Sequence, residues 1–268
     1  MAKKILLISE YVGVGKVALS VSMPVLSHYG YDIYALPTAI MSNTMDYGKF
    51  TKMDTTEYMV NTMRVWRELN FSFDAVCIGY VSNEDQLRLI LQFCRSSKAR
   101  ILYDPIMAKL GKLYNGISRE TISIMTRLSS VADIVIPNYT EACYMTFTPY
   151  SENATKEDMA GILNQLRQSG CRTVVATSVP YENGWANVVY NGNDNEITAV
   201  PYTKIPVNIP GVGDIFTAVF LAHVLEDGKI IDGVRAATEI TYELIAENRD
   251  NLDLNKGIRI ESCMHLLK

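Results

Sequence analysis

The segment Pro210-Gly211-Val212-Gly213-Asp214-Ile215-Phe216-Thr217-Ala218 offers the most chemistry in this sequence. Two glycines lead straight into an apolar helical run. The first backbone N–H groups of a helix have no intrahelical acceptor, and the helix dipole is positive there, so such a start holds anions. Asp214 stands in that first turn. An aspartate there often serves only as an N-cap. Held beside an anion hole, it also suits general-base work on a hydroxyl during phosphoryl transfer.

Further oxygen-rich residues follow short apolar runs. Tyr103-Asp104-Pro105 closes one run, and Pro137-Asn138-Tyr139-Thr140-Glu141 closes the next. Thr177-Ser178 ends a third. Ligands of open α/β sheets bind beyond the carboxyl ends of the strands. Asp104, Asn138 and Glu141 therefore converge on one crevice if those runs are parallel strands, and an oxygen-only set suits a hard cation such as Mg²⁺. Each residue alone also reads as a cap or a turn.

A second glycine turn, Gly13-Val14-Gly15-Lys16-Val17-Ala18, formally matches the dinucleotide fingerprint, with Asp32 near the place of a ribose-binding acid. The context fits poorly. Four residues separate Ile8 from Gly13, and Asp32 begins its strand instead of ending it. A phosphate-binding Walker loop fails as well, because Val17 stands where Ser or Thr is needed. The reading kept here is a turn that lines some other ligand.

Alternation of two periodicities supplies the frame. Ile5–Ile8, 31–36, 75–78, 101–103, 134–136 and 173–177 read as buried strands. Helical patterns lie at 16–29, with Pro24 expected to kink the helix, and at 84–96. Others start at Asp54, with Glu57 as a capping-box partner, and at Thr155 with Asp158, the last closed by Gly170. Ile122, Met125 and Leu128 mark one more. Repeated β-α-β units give a mostly parallel sheet with helices on both faces. Residues 185–190 and 196–200 flank Asn191-Gly192, a hairpin signal. Two helices follow, at 214–225 and around Val234, Ala237, Thr241 and Leu244. No linker or repeat interrupts the pattern, so 1–268 reads as one domain; 251–268 show no clear pattern.

Composition narrows the function classes. The 268 residues are 48% hydrophobic and 20% charged, with a net charge of −4. That argues for a packed core and against nucleic-acid or anionic-membrane partners. The five cysteines are scattered and the three histidines far apart, so no zinc site is visible. With no apparent leader and no membrane-length apolar run, a cytoplasmic location is expected.

Taken in order and spacing, Asp104-Pro105-Ile106-Met107, Pro137-Asn138-Tyr139-Thr140-Glu141 and Gly211-Val212-Gly213-Asp214 resemble the ribokinase-like small-molecule kinases. The pyridoxal kinase branch is the nearer match, through Gly13-Val14-Gly15-Lys16 with Pro24, Ser42-Asn43 with Tyr47-Gly48, and Gly79-Tyr80. The resemblance runs from about residue 4 to 247. It implies a three-layer α/β sandwich and ATP-dependent phosphorylation of the 5′-hydroxymethyl group of pyridoxal, pyridoxine or pyridoxamine. By resemblance, Asp214 is the base and Gly211, Val212 and Gly213 form the anion hole. Asn138, Asp104, Thr177 and Ser178 lie on ATP, and Glu141 with Asp104 near Mg²⁺. Ser9, Thr38 and Tyr80 line the vitamer pocket. A homodimer and a monovalent cation are further family expectations. Related hydroxymethylpyrimidine kinases tend to carry Cys at the place of Asp214.

Two departures stand out. Ala108-Lys109 replaces the family's usual Gly-Asp, and Ser9-Glu10-Tyr11-Val12 replaces a commoner Asn-Asp-Leu-Ser. Lys109 either neutralises phosphate charge or points to solvent from a mobile 108–116 loop. These departures keep a non-catalytic vitamer- or nucleotide-binding relative as the alternative. A nicotinamide-dependent oxidoreductase rests on residues 13–18 alone.

Overall fold

The computed structural model describes residues 2–194, 196–226, 228–251 and 253–267. Its strands are β1 (Lys4–Val12), β2 (Asp32–Met41), β3 (Lys52–Asp54), β4 (Ala75–Ile78), β5 (Arg100–Tyr103), β6 (Ala108–Lys109), β7 (Lys112–Leu113), β8 (Ile134–Val135), β9 (Thr173–Tyr181), β10 (Gly184–Asn191) and β11 (Glu196–Tyr202). The helices are α1 (Leu19–His28), α2 (Thr56–Glu68), α3 (Glu84–Ser96), α4 (Arg119–Leu128), α5 (Tyr139–Thr146), α6 (Lys156–Gln168), α7 (Val212–Leu225), α8 (Ile230–Asn248) and α9 (Ile260–Cys263).

One sheet runs in the order β11-β10-β9-β8-β5-β4-β1-β2-β3. The pairs from β2 through β1, β4, β5 and β8 to β9 are parallel. The flanks, β3 on β2 and β10–β11 on β9, are antiparallel. Successive strand residues face opposite sides, and β1 shows the result. Leu6 and Ile8 join a core with residues of α2 to α6, while Ile5 and Leu7 join a second core with residues of α1, α7, α8 and α9. The unbroken apolar run Ile5–Ile8 is what a strand covered on both faces requires. The result is the expected three-layer α/β sandwich.

Helix α7 is buried almost all round, from Ile215 to Ala222 and at Val224 and Leu225. It packs against both α1 and α8. Fully burying one of its large aliphatic side chains is worth about 1.5–3 kcal/mol, so the start of α7 is held by a rigid rod.

Three local readings need correction. Helix α1 begins at Leu19, not near residue 16. Ala18 takes a left-handed φ of 45°, and the Lys16 N–H is tied to the Lys256 carbonyl at 2.9 Å. Pro24 lies inside this helix. Asp54 and Glu57 form no capping box. Thr55 is the N-cap of α2 and turns its hydroxyl to the Pro37 carbonyl at 2.6 Å, while Asp54 accepts from the Thr56 N–H and from Asn83, joining the starts of α2 and α3. The 108–116 loop is in part a hairpin. Leu110 and Gly111, with φ of 52° and 76°, make the two-residue turn between β6 and β7. Thr140 accepts from the Gly111 N–H, and Tyr144 donates to its carbonyl, so the hairpin tip is docked on α5. No helix among the described residues is long and apolar enough to cross a membrane.

Candidate active site

A cavity of about 280 Å³ opens beyond the carboxyl ends of β1, β5, β8 and β9, against the start of α7. Gly211 is the N-cap of α7, with φ 82°. A Cβ there would lie 1.8 Å from the Lys16 carbonyl oxygen, so only glycine lets residues 13–18 close against this turn. At Gly213 a Cβ would meet nothing within 4 Å. Gly211, Val212, Gly213 and Asp214 all line the cavity.

The Asp214 carboxylate accepts from the Ala18 backbone N–H. Its carboxyl sits well above the usual aspartate range, first through burial, then through the charges of Glu10 and Asp104. Residues 13–18 thus close against the α7 turn and hold its acid. They build no dinucleotide loop: α1 starts only at Leu19, and Asp32 is exposed.

Asp104 follows β5 and accepts from the Thr217 hydroxyl at 2.8 Å, one turn along α7 from Asp214. Burial, and next the Glu10 charge, push its carboxyl up to about 7 against the lowering effect of Thr217. An unfolded aspartate titrates near 3.9. The native form therefore keeps a proton that the unfolded chain releases. The associated stability is full below about pH 4 and is lost as pH rises through about 7. Asp104→Asn should remove that loss. With a chelator present, its melting temperature should match wild type near pH 4.5 and exceed it by about 3 °C or more at pH 8. Scanning fluorimetry across pH checks this; a constant difference would contradict it.

Asn138 is the N-cap of α5, in a capping box with Glu141. Its amide also donates to the Ala108 carbonyl at 2.7 Å. Glu141 is 2% exposed and accepts from the backbone N–H groups of Met107, Ala108 and Asn138. Its carboxyl lies far above the usual range through burial and the Asp104 charge. Thr177 and Ser178 line the cavity from β9, where Ser178 has φ 54° and its N–H donates to Asn187. The structure thus brings Asp214, the 211–213 turn, Asp104, Asn138, Glu141, Thr177 and Ser178 to one cavity.

Ser9, Thr38 and Tyr80 stand differently. All three are buried, and none is among the residues that line the cavity. They bond to one another instead: Thr38 donates to the Tyr80 carbonyl at 2.8 Å, and the Tyr80 N–H donates to Ser9 Oγ at 3.2 Å. On this side the lining is Glu10, Val12, Met41 and Thr44. The swap falls where β1 shifts register against β2, between Ser9 and Tyr11, and there the Ser9 hydroxyl turns onto the Glu10 carboxylate at 2.7 Å. Lys109 does not point away to solvent. It is half-buried, lines the cavity, and its Nζ donates to Asn208 Oδ1 at 2.6 Å. Burial lowers its ammonium from the usual range.

The far wall escaped sequence reasoning. Trp185, Tyr202, Thr238, Tyr242 and Ile245 line it, with the Lys204 ammonium 3.4 Å from the Trp185 ring centre. Among the described residues no group of three His, Cys, Asp or Glu forms a ready metal cage. Asp104 and Glu141, among the carboxylates that line this cavity, still fit Mg²⁺, which is commonly held by one or two carboxylates together with substrate phosphates.

The phosphomethylpyrimidine kinase family profile matches residues 25–260. A protein of Bacteroides thetaiotaomicron provisionally assigned as a phosphomethylpyrimidine kinase, crystallised with pyridoxal, superposes with a TM-score of 0.93 at 30% identity, covering 100% of this chain and 96% of that one. The pyridoxal kinase of Leifsonia xyli is 26% identical over 259 residues, 92% of this chain and 90% of its own length. The Leishmania donovani pyridoxal kinase, solved with ADP and ginkgotoxin, shares the fold at a TM-score of 0.86 and 23% identity, covering 99% and 95%.

Proposed function

Because the chain belongs to the phosphomethylpyrimidine kinase family, on the pyridoxal kinase branch of the ribokinase-like kinases, we propose that it transfers the γ-phosphoryl group of ATP to the 5′-hydroxymethyl group of a vitamin B6 vitamer, with Asp214 as general base. The observation that carries this reading is the Asp214 carboxylate in the first turn of α7, directly after the glycine turn and inside one cavity with the oxygen-rich strand ends.

The vitamer hydroxyl lies against Asp214. As the hydroxyl oxygen bonds to the γ-phosphorus, Asp214 takes its proton, the bond to the β,γ-bridging oxygen breaks, and ADP leaves. The N–H groups of the 211–213 turn and the positive end of α7 stabilise the charge on the transferred group. Asp104 and Glu141 would hold a Mg²⁺, directly or through water, whose charge neutralises the phosphates. Thr177, Ser178 and Asn138 lie along the nucleotide, and Trp185, Tyr202, Tyr242 and Ile245 offer an apolar wall for its base. The vitamer occupies the end lined by Glu10, Val12, Met41 and Thr44, with Ser9, Thr38 and Tyr80 bracing it from behind. A panel of the three vitamers with ATP and Mg²⁺, read by chromatography of the phosphorylated product, tests the reading; no product from any of them would refute it.

Lys109 belongs to this proposal as a second source of positive charge on the phosphates, acting as a point charge. Lys109→Ala should weaken ATP binding by about 1–3 kcal/mol, the range of a charge-assisted contact. Lys109→Asp should raise the dependence on Mg²⁺. The KM for ATP measured against Mg²⁺ concentration decides it: wild-type values in both variants would remove Lys109 from the site.

A homodimer in the cytoplasm completes the proposal. Ile40, Met53, Tyr58, Val60 and Leu69 leave apolar surface exposed on β2, β3 and the α2 region. Light scattering should give twice the chain mass, and a monomer would contradict this part.

A further inference from the structure

Two stretches have no task in the scheme above: Ser42-Asn43 with Tyr47-Gly48, and the C-terminal residues. The structure joins them. The loop 42–51 is closed at its base, where the Ser42 N–H donates to the Thr51 carbonyl at 3.0 Å, and is braced within by the Asn43 amide on the Lys49 carbonyl at 2.8 Å. Thr44, Met45 and Asp46 of this loop line the cavity. The segment 253–261 holds it from the other side. The Tyr47 hydroxyl donates to Asp253 Oδ2 at 2.8 Å, and the Thr44 hydroxyl donates to the Asn255 carbonyl at 3.3 Å. Lys256 Nζ lies 3.8 Å from the same Asp253 oxygen. The segment also grips the 13–18 turn, through the Lys16 N–H on the Lys256 carbonyl and the Lys16 ion pair with Glu261. It is itself anchored: Ile258 and Ile260 are fully buried, and the Arg259 N–H donates to the buried Asn248 at 3.0 Å.

None of residues 45–47 is buried, so directional bonds, more than packing, set where this part of the loop lies. Its Gly48 carbonyl accepts from Asn115, beyond the β6–β7 hairpin, at 3.0 Å. The loop is thus a flap with one face on the cavity, strung between that turn and the anchored C-terminal segment. We propose that Asp253 is a positioning residue: through Tyr47 it latches the 42–51 flap over the acceptor end of the cavity and so keeps water from the γ-phosphorus of ATP. The inference rests on the phosphotransfer reading above and adds a role for the C-terminal segment in it. Excluding water matters because water competes with the acceptor hydroxyl. In that side reaction the water oxygen bonds to the γ-phosphorus, the bond to the β,γ-bridging oxygen breaks, and one proton passes to Asp214. ADP and free phosphate result, with no phosphorylated vitamer.

The test uses ATP, Mg²⁺ and the best of the three vitamers. It measures the KM of both substrates and the ratio of phosphorylated vitamer to ADP in wild type, Tyr47→Phe, Asp253→Ala, Asp253→Asn and the Tyr47→Phe/Asp253→Ala double variant. Tyr47→Phe and Asp253→Ala should each raise the vitamer KM about threefold to tenfold, the span of one lost hydrogen bond. Each should also bring the ratio below that of wild type, while the KM for ATP stays near wild type. Asp253→Asn should stay close to wild type, because its amide oxygen still accepts from the phenol. The double variant should be no worse than either single one, since the two side chains act as a unit. A wild-type ratio and vitamer KM in Tyr47→Phe, effects that add in the double variant, or a KM for ATP that rises in step would each overturn the latch and leave phosphotransfer standing. Should Asp253→Ala not fold, Tyr47→Phe, which removes a single oxygen, decides alone. Failure of wild type to phosphorylate any vitamer overturns the phosphotransfer reading and this inference with it.

Discussion

Asp214→Asn should lower turnover by about 10²–10⁴, the span of a lost general base. The fold should survive, because an asparagine can still accept the Ala18 N–H and is well tolerated at helix starts. The effect should fall on kcat and leave the KM for ATP nearly unchanged, since the backbone N–H groups of the α7 start stay in place. The acid limb of the wild-type kcat/KM profile should lie above the ordinary aspartate range, because burial and the charges of Glu10 and Asp104 raise this carboxyl. That limb should vanish in the variant. Steady-state kinetics across pH measure both. A variant that keeps more than about a third of wild-type turnover, a cut far below ~10²-fold, would remove Asp214 from the chemistry.

Gly211→Ala should be nearly as damaging, for a steric reason. Its Cβ would lie 1.8 Å from the Lys16 carbonyl oxygen, and φ is 82°. The left-handed conformation alone costs a side chain about 1–2 kcal/mol. The clash must also push residues 16–18 away from the α7 turn, and the Ala18 N–H that meets Asp214 goes with them. Loss of anion-hole alignment costs about 10²–10³ in kcat. Gly213→Ala is the internal control, because its Cβ meets nothing within 4 Å and its helical position tolerates alanine. Thermal melts of the pair measure the contrast, because Gly213 itself lines the cavity and its kcat is no neutral reference. Equal melting temperatures for the two variants would show that the packing of Lys16 on Gly211 does not hold the turn.

The helices and strands were legible wherever one period dominated. Helix α3 spans Glu84–Ser96 as its pattern predicts, and the pairing of Thr155 with Asp158 does cap α6. The acids at strand ends were legible too, because a parallel sheet must gather them at one edge. What escaped depends on long-range partners. The left-handed Ala18 is set by contacts with the C-terminal segment, through Lys16 on Lys256, and with the α7 turn. Helix α5 is short and buried on nearly every side, so it shows no amphipathic stripe. The β6–β7 hairpin has two-residue strands, too short for any alternation to appear.

The acceptor end shows the same limit more sharply. Ser9, Thr38 and Tyr80 came from resemblance, and a one-residue step along β1 separates the buried Ser9 from the cavity-lining Glu10. A sequence pattern fixes which face a strand residue takes only when its register is known. Here β1 shifts register against β2 between Ser9 and Tyr11, at the place where the question arises. Lys109 was open for a related reason: whether a loop lysine is solvated or turned inward depends on how its hairpin docks, and Thr140 and Tyr144 on α5 fix that.

The central claim is that the cavity moves a phosphoryl group from ATP to a hydroxymethyl group with Asp214 taking the proton. Phosphorus NMR of wild type and Asp214→Asn, each with ATP, Mg²⁺ and the best acceptor of the panel, tests it most directly. The account predicts a phosphomonoester signal that grows one-to-one with ADP in wild type and is nearly absent in the variant over the same time. ADP appearing with free phosphate and no phosphomonoester, or equal phosphomonoester from both proteins, would contradict it.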